Sequence, residues 1–219
     1  MVVCLLHSYA FAQVIIQTNT HKQVALTFDD GPSSKFTPKI LDTLKKYHIK
    51  ATFFVTGRRI EENPKILKRM ADEGHEIGNH TYYHTSCDYL NYDELILELK
   101  MTSKLIKKIT GLTTHLFRPP HGKISYQMRT AIQNTGYDIV LWTVHADDFA
   151  RKGYGIRDAT SIVKRVLALT YGGDIIIMHD NSQQIVDALP RIVKYMQEHD
   201  FQFVTISQLK PTRLGLNLQ

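Results

Sequence analysis

The 219-residue chain holds five short strings in which chemistry-bearing side chains stand directly behind apolar, strand-like runs. The first is Thr27-Phe28-Asp29-Asp30-Gly31-Pro32, two adjacent carboxylates ahead of a Gly-Pro turn. Adjacent carboxylates can divide labour, one binding a cation and the other acting as base, because a nearby metal charge keeps both ionised. Alone, such a string is as often a plain surface turn. The second is Asn79-His80-Thr81-Tyr82-Tyr83-His84. Histidines at i and i+4 point the same way on one helical turn and can bite a single ion. Most such pairs bind nothing, but joined to one carboxylate, for which Asp30 is the candidate, they form a two-histidine, one-carboxylate set. That set suits zinc with open positions for water and substrate, and iron(II) shares it.

The third string is Arg118-Pro119-Pro120-His121-Gly122, where the prolines stiffen a turn and Gly122 permits close backbone approach. Arg118 reads either as an exposed structural cation or as a bidentate partner for Asp29. The last two are Asp147-Asp148-Phe149 and Met178-His179-Asp180; His179 directly follows the apolar run 175–178, which places it at a sheet end and not in a core. Tyr82, Tyr83, Phe149 and Tyr154 are aromatic candidates for stacking on a ligand ring, with a core role at least as plausible for each. Cys87 reads as a small apolar filler.

These strings must be positioned by the elements between them. Runs rich in β-branched and aromatic residues at 24–28, 51–55, 76–79, 116–117, 138–143, 174–178 and 202–206 alternate with segments of helical period. That is the pattern of repeated βα units around a parallel sheet, and seven strands favour a barrel over an open sheet. Thr37 before Pro38 and Asn63 before Pro64 read as helix N-caps, and Asn91 opens a helix with Asp93 and Glu94 in its first turn and Gly111 at its stop. Further helices are expected at 125–134, 158–169 and 183–198, the last bent or split at Pro190. In such folds chemistry gathers just beyond the carboxyl ends of the strands, which is where all five strings fall.

Composition narrows the rest. With 43% apolar residues the chain can bury a full core, which excludes disorder as its main state. Two cysteines make no disulfide framework, whereas 11 histidines are a surplus suited to metal or proton chemistry. No run of 18 apolar residues exists, so no transmembrane segment is expected. The apolar stretch 1–12, closing on Ala10-Phe11-Ala12 before Gln13, resembles a signal-peptidase site although it lacks Lys or Arg, and export is expected. The net charge of +6 invites a nucleic-acid partner, but Lys104, Lys107 and Lys108 share a helix with Glu94 and Glu98 and read as a solvated face, so none is expected.

In this order and spacing, TFDDGP, HTYYH, RPPHG, DDF and IIIMHD resemble the polysaccharide deacetylases of carbohydrate esterase family four, over about residues 23–209. The resemblance implies a distorted (β/α)7 barrel, similar to a TIM barrel, that removes acetyl groups from sugars with a divalent metal, usually zinc. It implies Asp29 as general base, Asp30, His80 and His84 as metal ligands, Arg118 as the residue that orients Asp29, His179 as general acid and Asp148 as its charged partner. The backbone N–H of His121 would serve the oxyanion, and Phe149 would border the substrate. Three positions depart from the family pattern: His121 where a tyrosine is usual, His145 where an acid is usual, and Phe149 where a tryptophan is usual. The expected organisation is an N-terminal segment 1–22, a catalytic domain 23–210 and a tail 211–219. The expected substrate is an N-acetylated glycan of peptidoglycan, chitin-like or exopolysaccharide type. An O-acetyl esterase of xylan type and a glycan-binding barrel of weak activity are the alternatives.

Overall fold

The computed structural model describes residues 14–15, 22–123, 125, 132, 135–149 and 157–209. The expected leader, the helix at 125–134 apart from residues 125 and 132, Tyr154 and the tail 211–219 lie outside the described residues.

Nine strands are described: β1 Val14–Ile15, β2 Gln23–Asp29, β3 Thr52–Val55, β4 Glu76–Asn79, β5 Leu116–Phe117, β6 Asp138–Val140, β7 Val144–His145, β8 Ile175–His179 and β9 Gln202–Phe203. Between them run α1 Thr37–Lys46, α2 Gly57–Glu62, α3 Pro64–Asp72, α4 Tyr92–Thr110, α5 Ala159–Leu169 and α6 Gln183–Glu198. The sheet order is β1-β6-β5-β4-β3-β2-β8-β7, with β9 beside the start of β2, and every pairing is parallel. The expected strand 138–143 ends at Val140 as β6, near one end of this order, and a further short strand, β7, follows at Val144–His145 at the other end. Only residues 141–143 join them, so the chain itself draws the two sides of the sheet together, and the sheet curls into the expected distorted barrel.

Side-chain alternation along β2 sorts the layers. Val24, Leu26 and Phe28 belong to the cluster packed beneath the helices, with Ile40, Leu41, Phe53, Ile185 and Leu189, whereas Ala25 joins Phe54, Leu116, Val140 and Ile175 in the barrel interior. Thr27 and Asp29, on the same face as Ala25, therefore point inward as well.

Helix starts depart from expectation in an informative way. Phe36, not Thr37, is the N-cap of α1. The Thr37 hydroxyl instead accepts from the Ser33 N–H at 2.7 Å and donates to Asp180 on the far side of the first catalytic string. Asn63 does cap α3, but its side chain accepts no hydrogen bond from that helix; its amide donates to the Pro32 carbonyl at 3.0 Å and to the Arg59 carbonyl of α2 at 3.4 Å. Both residues tie helices to the Asp29–Pro32 loop. Asn91 forms a full capping box with Glu94, and Gly111 closes α4 at φ 78°, as read from sequence. α6 runs unbroken through Pro190; its buried face of Ile185, Ala188, Leu189, Ile192, Val193 and Met196 offsets the lost hydrogen bond.

Phe53 is fully buried and stacks on Phe28 with ring centroids 5.1 Å apart. Phe53→Ala is expected to cost about 3–5 kcal/mol in urea unfolding with an unchanged denaturant slope.

Candidate active site

Parallel register places the Asp29 Cα opposite both Phe54 of β3 and His179 of β8. The first and fifth strings thus emerge side by side, and the second and third follow at the ends of β4 and β5, which pair at Asn79 and Phe117.

Arg118 lies fully buried inside the barrel. Its Nη1 donates at 2.7 Å to Asp29 Oδ1 and at 2.7 Å to Thr27 Oγ1, Nε donates to the Val140 carbonyl and Nη2 to the Leu141 carbonyl, each at 3.2 Å. The guanidinium also stands 4.1 Å over the Phe54 ring. The sequence offered a bidentate pair with Asp29 or an exposed cation; neither is found. Only one nitrogen meets the carboxylate, because the break between β6 and β7 leaves carbonyls that need donors.

Asp30, His80 and His84 converge so that one ligand atom from each lies within 4.8 Å of the others. The helical spacing suggested for the two histidines does not apply, since residues 80–84 form a loop in which Thr81 and His84 take φ values of 65° and 62°. That turn, not an α-helix, sets the imidazole centroids 4.9 Å apart. His80 Nδ1 donates to the Arg118 carbonyl at 2.6 Å, which leaves Nε2 with its lone pair toward Asp30 Oδ1 at 3.5 Å. His84 Nε2 stands 3.1 Å from the same oxygen. Asp30 Oδ1 is buried and accepts no hydrogen bond. Burial favours the neutral carboxyl, but the hydrogen bonds and positive charge that His80 and His84 offer when protonated, with the charge of His179, outweigh it and hold Asp30 well below the usual carboxylate range. Two imidazoles and a carboxylate oxygen without a proton of its own suit a divalent cation.

Several residues that sequence reading passed over shape this loop. Glu98, taken as part of a solvated face, is buried and its Oε2 accepts from the Tyr82 and Tyr83 N–H groups at 2.9 and 3.0 Å. Thr102 Oγ1 donates to the Thr81 carbonyl at 2.9 Å, and Asn79 Oδ1 accepts from the Thr81 N–H at 2.9 Å. The signal was present: Glu98 and Thr102 share the buried stripe of α4 with Leu95, Leu99 and Ile106, where a charge needs a partner. Asp180 was likewise overlooked. It is fully buried against Gly31, where an added Cβ would lie 2.0 Å from its Oδ2, and burial raises its pKa to about 7.

His179 Nδ1 meets Asp148 Oδ1 at 2.9 Å, and the His179 N–H donates to the other Asp148 oxygen at 2.7 Å. Burial works against the imidazolium, yet the hydrogen bond and charge of Asp148, with Asp29 and Asp30 behind it, raise the His179 pKa to about 9. The ring of His145 lies 4.9 Å from that of Phe149 and 6.1 Å from that of His179, so the departures at 145 and 149 build one wall beside His179. Phe149 is 38% exposed on this wall. His121 sits at φ 62°, exposed, with its ring 5.0 Å from that of His84. Tyr83 is 62% exposed beside the loop, while Tyr82 is buried with its hydroxyl on Glu61. Cys87 is buried and its thiol pushed up to about 12, as befits a filler. No helix among the described residues is long and apolar enough to cross a membrane.

Residues 16–140 match the polysaccharide deacetylase family model. The chain is 35% identical over 203 residues to the peptidoglycan-N-acetylglucosamine deacetylase PgdA of Listeria monocytogenes, covering 93% of this chain and 42% of that protein. It is 38% identical over 192 residues to the peptidoglycan-N-acetylmuramic acid deacetylase PdaC of Bacillus subtilis, covering 88% and 39%. The chain thus spans about two fifths of the length of these relatives. The solved structure of the Bc1960 peptidoglycan N-acetylglucosamine deacetylase superposes with a TM-score of 0.85 at 36% identity, over 93% of this chain and 95% of that one.

Glu98→Ala leaves the Tyr82 and Tyr83 N–H groups without their acceptor and loosens the loop that carries both histidines. Calorimetric titration with a divalent cation is expected to show affinity lowered about 10- to 100-fold; unchanged affinity would count against the role.

Proposed function

The chain belongs to the polysaccharide deacetylase family, and we propose that it hydrolyses N-acetyl groups on GlcNAc-type sugars of a polysaccharide, releasing acetate. One observation carries this reading: a carboxylate gripped by a buried arginine and an imidazole gripped by a buried carboxylate stand on the paired ends of β2 and β8, beside the Asp30, His80, His84 cluster. That is the equipment for adding water to an amide and expelling an amine.

Asp29 is the base of this proposal. Arg118 takes one oxygen, and Oδ2 remains turned toward the cluster, 3.7 Å from His80 Nε2, where it can accept a proton from attacking water. Such general-base help is worth roughly 10² to 10⁴ in rate. Asp30, His80 and His84 are the proposed ligands of a divalent cation, zinc by the donor set; when bound it would polarise the acetyl carbonyl and lower the pKa of water from about 15.7 toward about 7. His121 is proposed to add its backbone N–H to the developing oxyanion, a donor of a kind typically worth about 2.7–4 kcal/mol. His179 holds its Nδ1 against Asp148, so Nε2 is the proton it offers to the departing sugar nitrogen. Phe149 and Tyr83 are the proposed apolar surfaces for sugar rings. The substrates named for the relatives favour a location outside the cytoplasm, in keeping with the expected leader.

Acetate release from N-acetylated oligosaccharides tests the reading. Activity is expected to disappear on chelation and to return with zinc; activity indifferent to stripping would sink it. A second expectation concerns pH. His179 is protonated below its raised pKa of about 9 and loses the proton as pH climbs through that value. Asp148→Asn removes the charge that raises it, so the alkaline limb of kcat/KM is expected to move down toward the ordinary value of 6.5. A limb that stays in place would deny His179 the acid role.

A further inference from the structure

His145 departs from the family pattern, and the proposed mechanism leaves its chemistry unused. Its imidazole is half-buried in the wall beside His179, and the Asp147 N–H donates to its Nδ1 at 2.7 Å. We propose that the other ring nitrogen, Nε2, donates its hydrogen to an oxygen of the sugar being deacetylated, on a ring carbon next to the one that carries the acetamido group. His145 is then a specificity-determining residue that gives a hydrogen where the usual acid, when ionised, could only accept one. The inference rests on the deacetylase reading and deepens it.

The protonation pattern of the ring follows from its partner. An imidazole nitrogen that accepts a hydrogen bond carries no proton, so the proton of the neutral ring sits on Nε2. Burial lowers the His145 pKa below its ordinary value in spite of the charges of Asp148 and Asp147, and those of His179 and Arg165 push the same way. Protonating Nδ1 would also set two donors against each other across 2.7 Å.

The wall fixes where that hydrogen points. The Trp142 ring stands edge-on to His145 at 6.0 Å and the Phe149 ring at 4.9 Å, and Arg165 Nε of α5 donates to the His145 carbonyl at 2.8 Å. Trp142 is packed in turn on Gly122, where an added Cβ would lie 2.6 Å from its Cη2, so the wall runs from the Gly122 turn to His179. With Nδ1 spent on the loop's own backbone, Nε2 occupies the open edge of the ring; it meets no partner among the described residues and is not closed off from water. An apolar side chain could fill the same wall, but it would present no donor there.

The ring centres of His145 and His179 lie 6.1 Å apart. His179 is the proposed donor to the leaving nitrogen on C2 of the sugar, so a group one ring's width away faces the substituents of the adjoining carbons. Those are the glycosidic oxygen on C1 and the hydroxyl on C3. Both accept hydrogen bonds, and only the second can give one, which makes a fixed donor suited to either.

Three glycans distinguish the two on the metal-loaded full chain: N-acetylchitotetraose, its analogue lacking every C3 oxygen, and its analogue with sulfur in place of each glycosidic oxygen. Calorimetric affinity and acetate release are both read. At least one analogue is expected to bind and react about tenfold less well than the parent, the loss of one hydrogen bond. His145→Leu is expected to lose that factor on the parent and nothing on that analogue, whereas His145→Gln, whose amide nitrogen stands in for Nε2, keeps most of the discrimination. Melting temperatures check the fold, and His145→Met, flexible enough to refill the wall, replaces the leucine variant if that one is unfolded. Equal affinity of the unsubstituted chain for all three glycans, or discrimination that survives the apolar variant, overturns the inference. A loss in the apolar variant spread evenly over all three glycans is the mark of a merely structural ring and overturns it too. Absence of acetate from all three with the pattern of affinities intact overturns the deacetylase reading alone.

Discussion

The buried guanidinium of Arg118 is the interaction around which the rest of the structure is arranged. An unpaired cation in a barrel interior would cost several kcal/mol, so every direction it points must hold an acceptor. Asp29 and Thr27 of β2 supply two, and the carbonyls of Val140 and Leu141 supply the others at the gap between β6 and β7. One side chain therefore binds the centre of the sheet to the seam where the sheet curls back. It also fixes which oxygen of Asp29 is taken and which remains for chemistry. Its own carbonyl holds His80 Nδ1, so the same residue orients the proposed base and one proposed ligand.

Around that centre the catalytic strings are loops, and loops need outside support. The His80–His84 segment adopts left-handed conformations at non-glycine residues, a strained choice that persists only when surroundings over-determine it. Glu98, Thr102 and Asn79 do so from one side, and the backbone bonds of Gly57 and Arg58 from the other. The Asp29–Pro32 loop is treated alike, with Asp180 pressed on Gly31, Thr37 bridging Asp180 to Ser33, and Asn63 holding Pro32. Helix residues whose sequence context suggested capping are spent instead on these loops. Precision at the site is thus drawn from α1, α3 and α4, none of which supplies a site residue.

Legibility in the sequence followed the range of the interaction. The βα alternation, the capping box at Asn91, the stop at Gly111 and the strand-end position of each string were readable because they depend on residues a few positions apart. The end of β6 at Val140 was not, since the carbonyls of Val140 and Leu141 beyond it are satisfied by Arg118, more than twenty residues earlier in the chain. Glu98 was misread for the same cause: its partners are the N–H groups of a loop sixteen and fifteen residues away, and a glutamate near lysines looks solvated until that loop is in place.

By itself, then, the sequence determined the chemical inventory and its order: carboxylates, imidazoles and an arginine, each set behind a strand, in the pattern of one family. Period-two alternation puts Thr27 and Asp29 on one face, and the clusters on either side of β2 show that it is the inner one. Only the tertiary structure decided how those groups divide their hydrogen bonds: that Arg118 gives Asp29 one nitrogen, that Asp30 keeps an unpartnered oxygen toward two imidazoles, and that Arg58 stands beside them. The physical reason is that hydrogen bonds saturate. Which donor an oxygen receives depends on every competitor within about 3 Å, and those competitors come from strands and helices that only folding brings together.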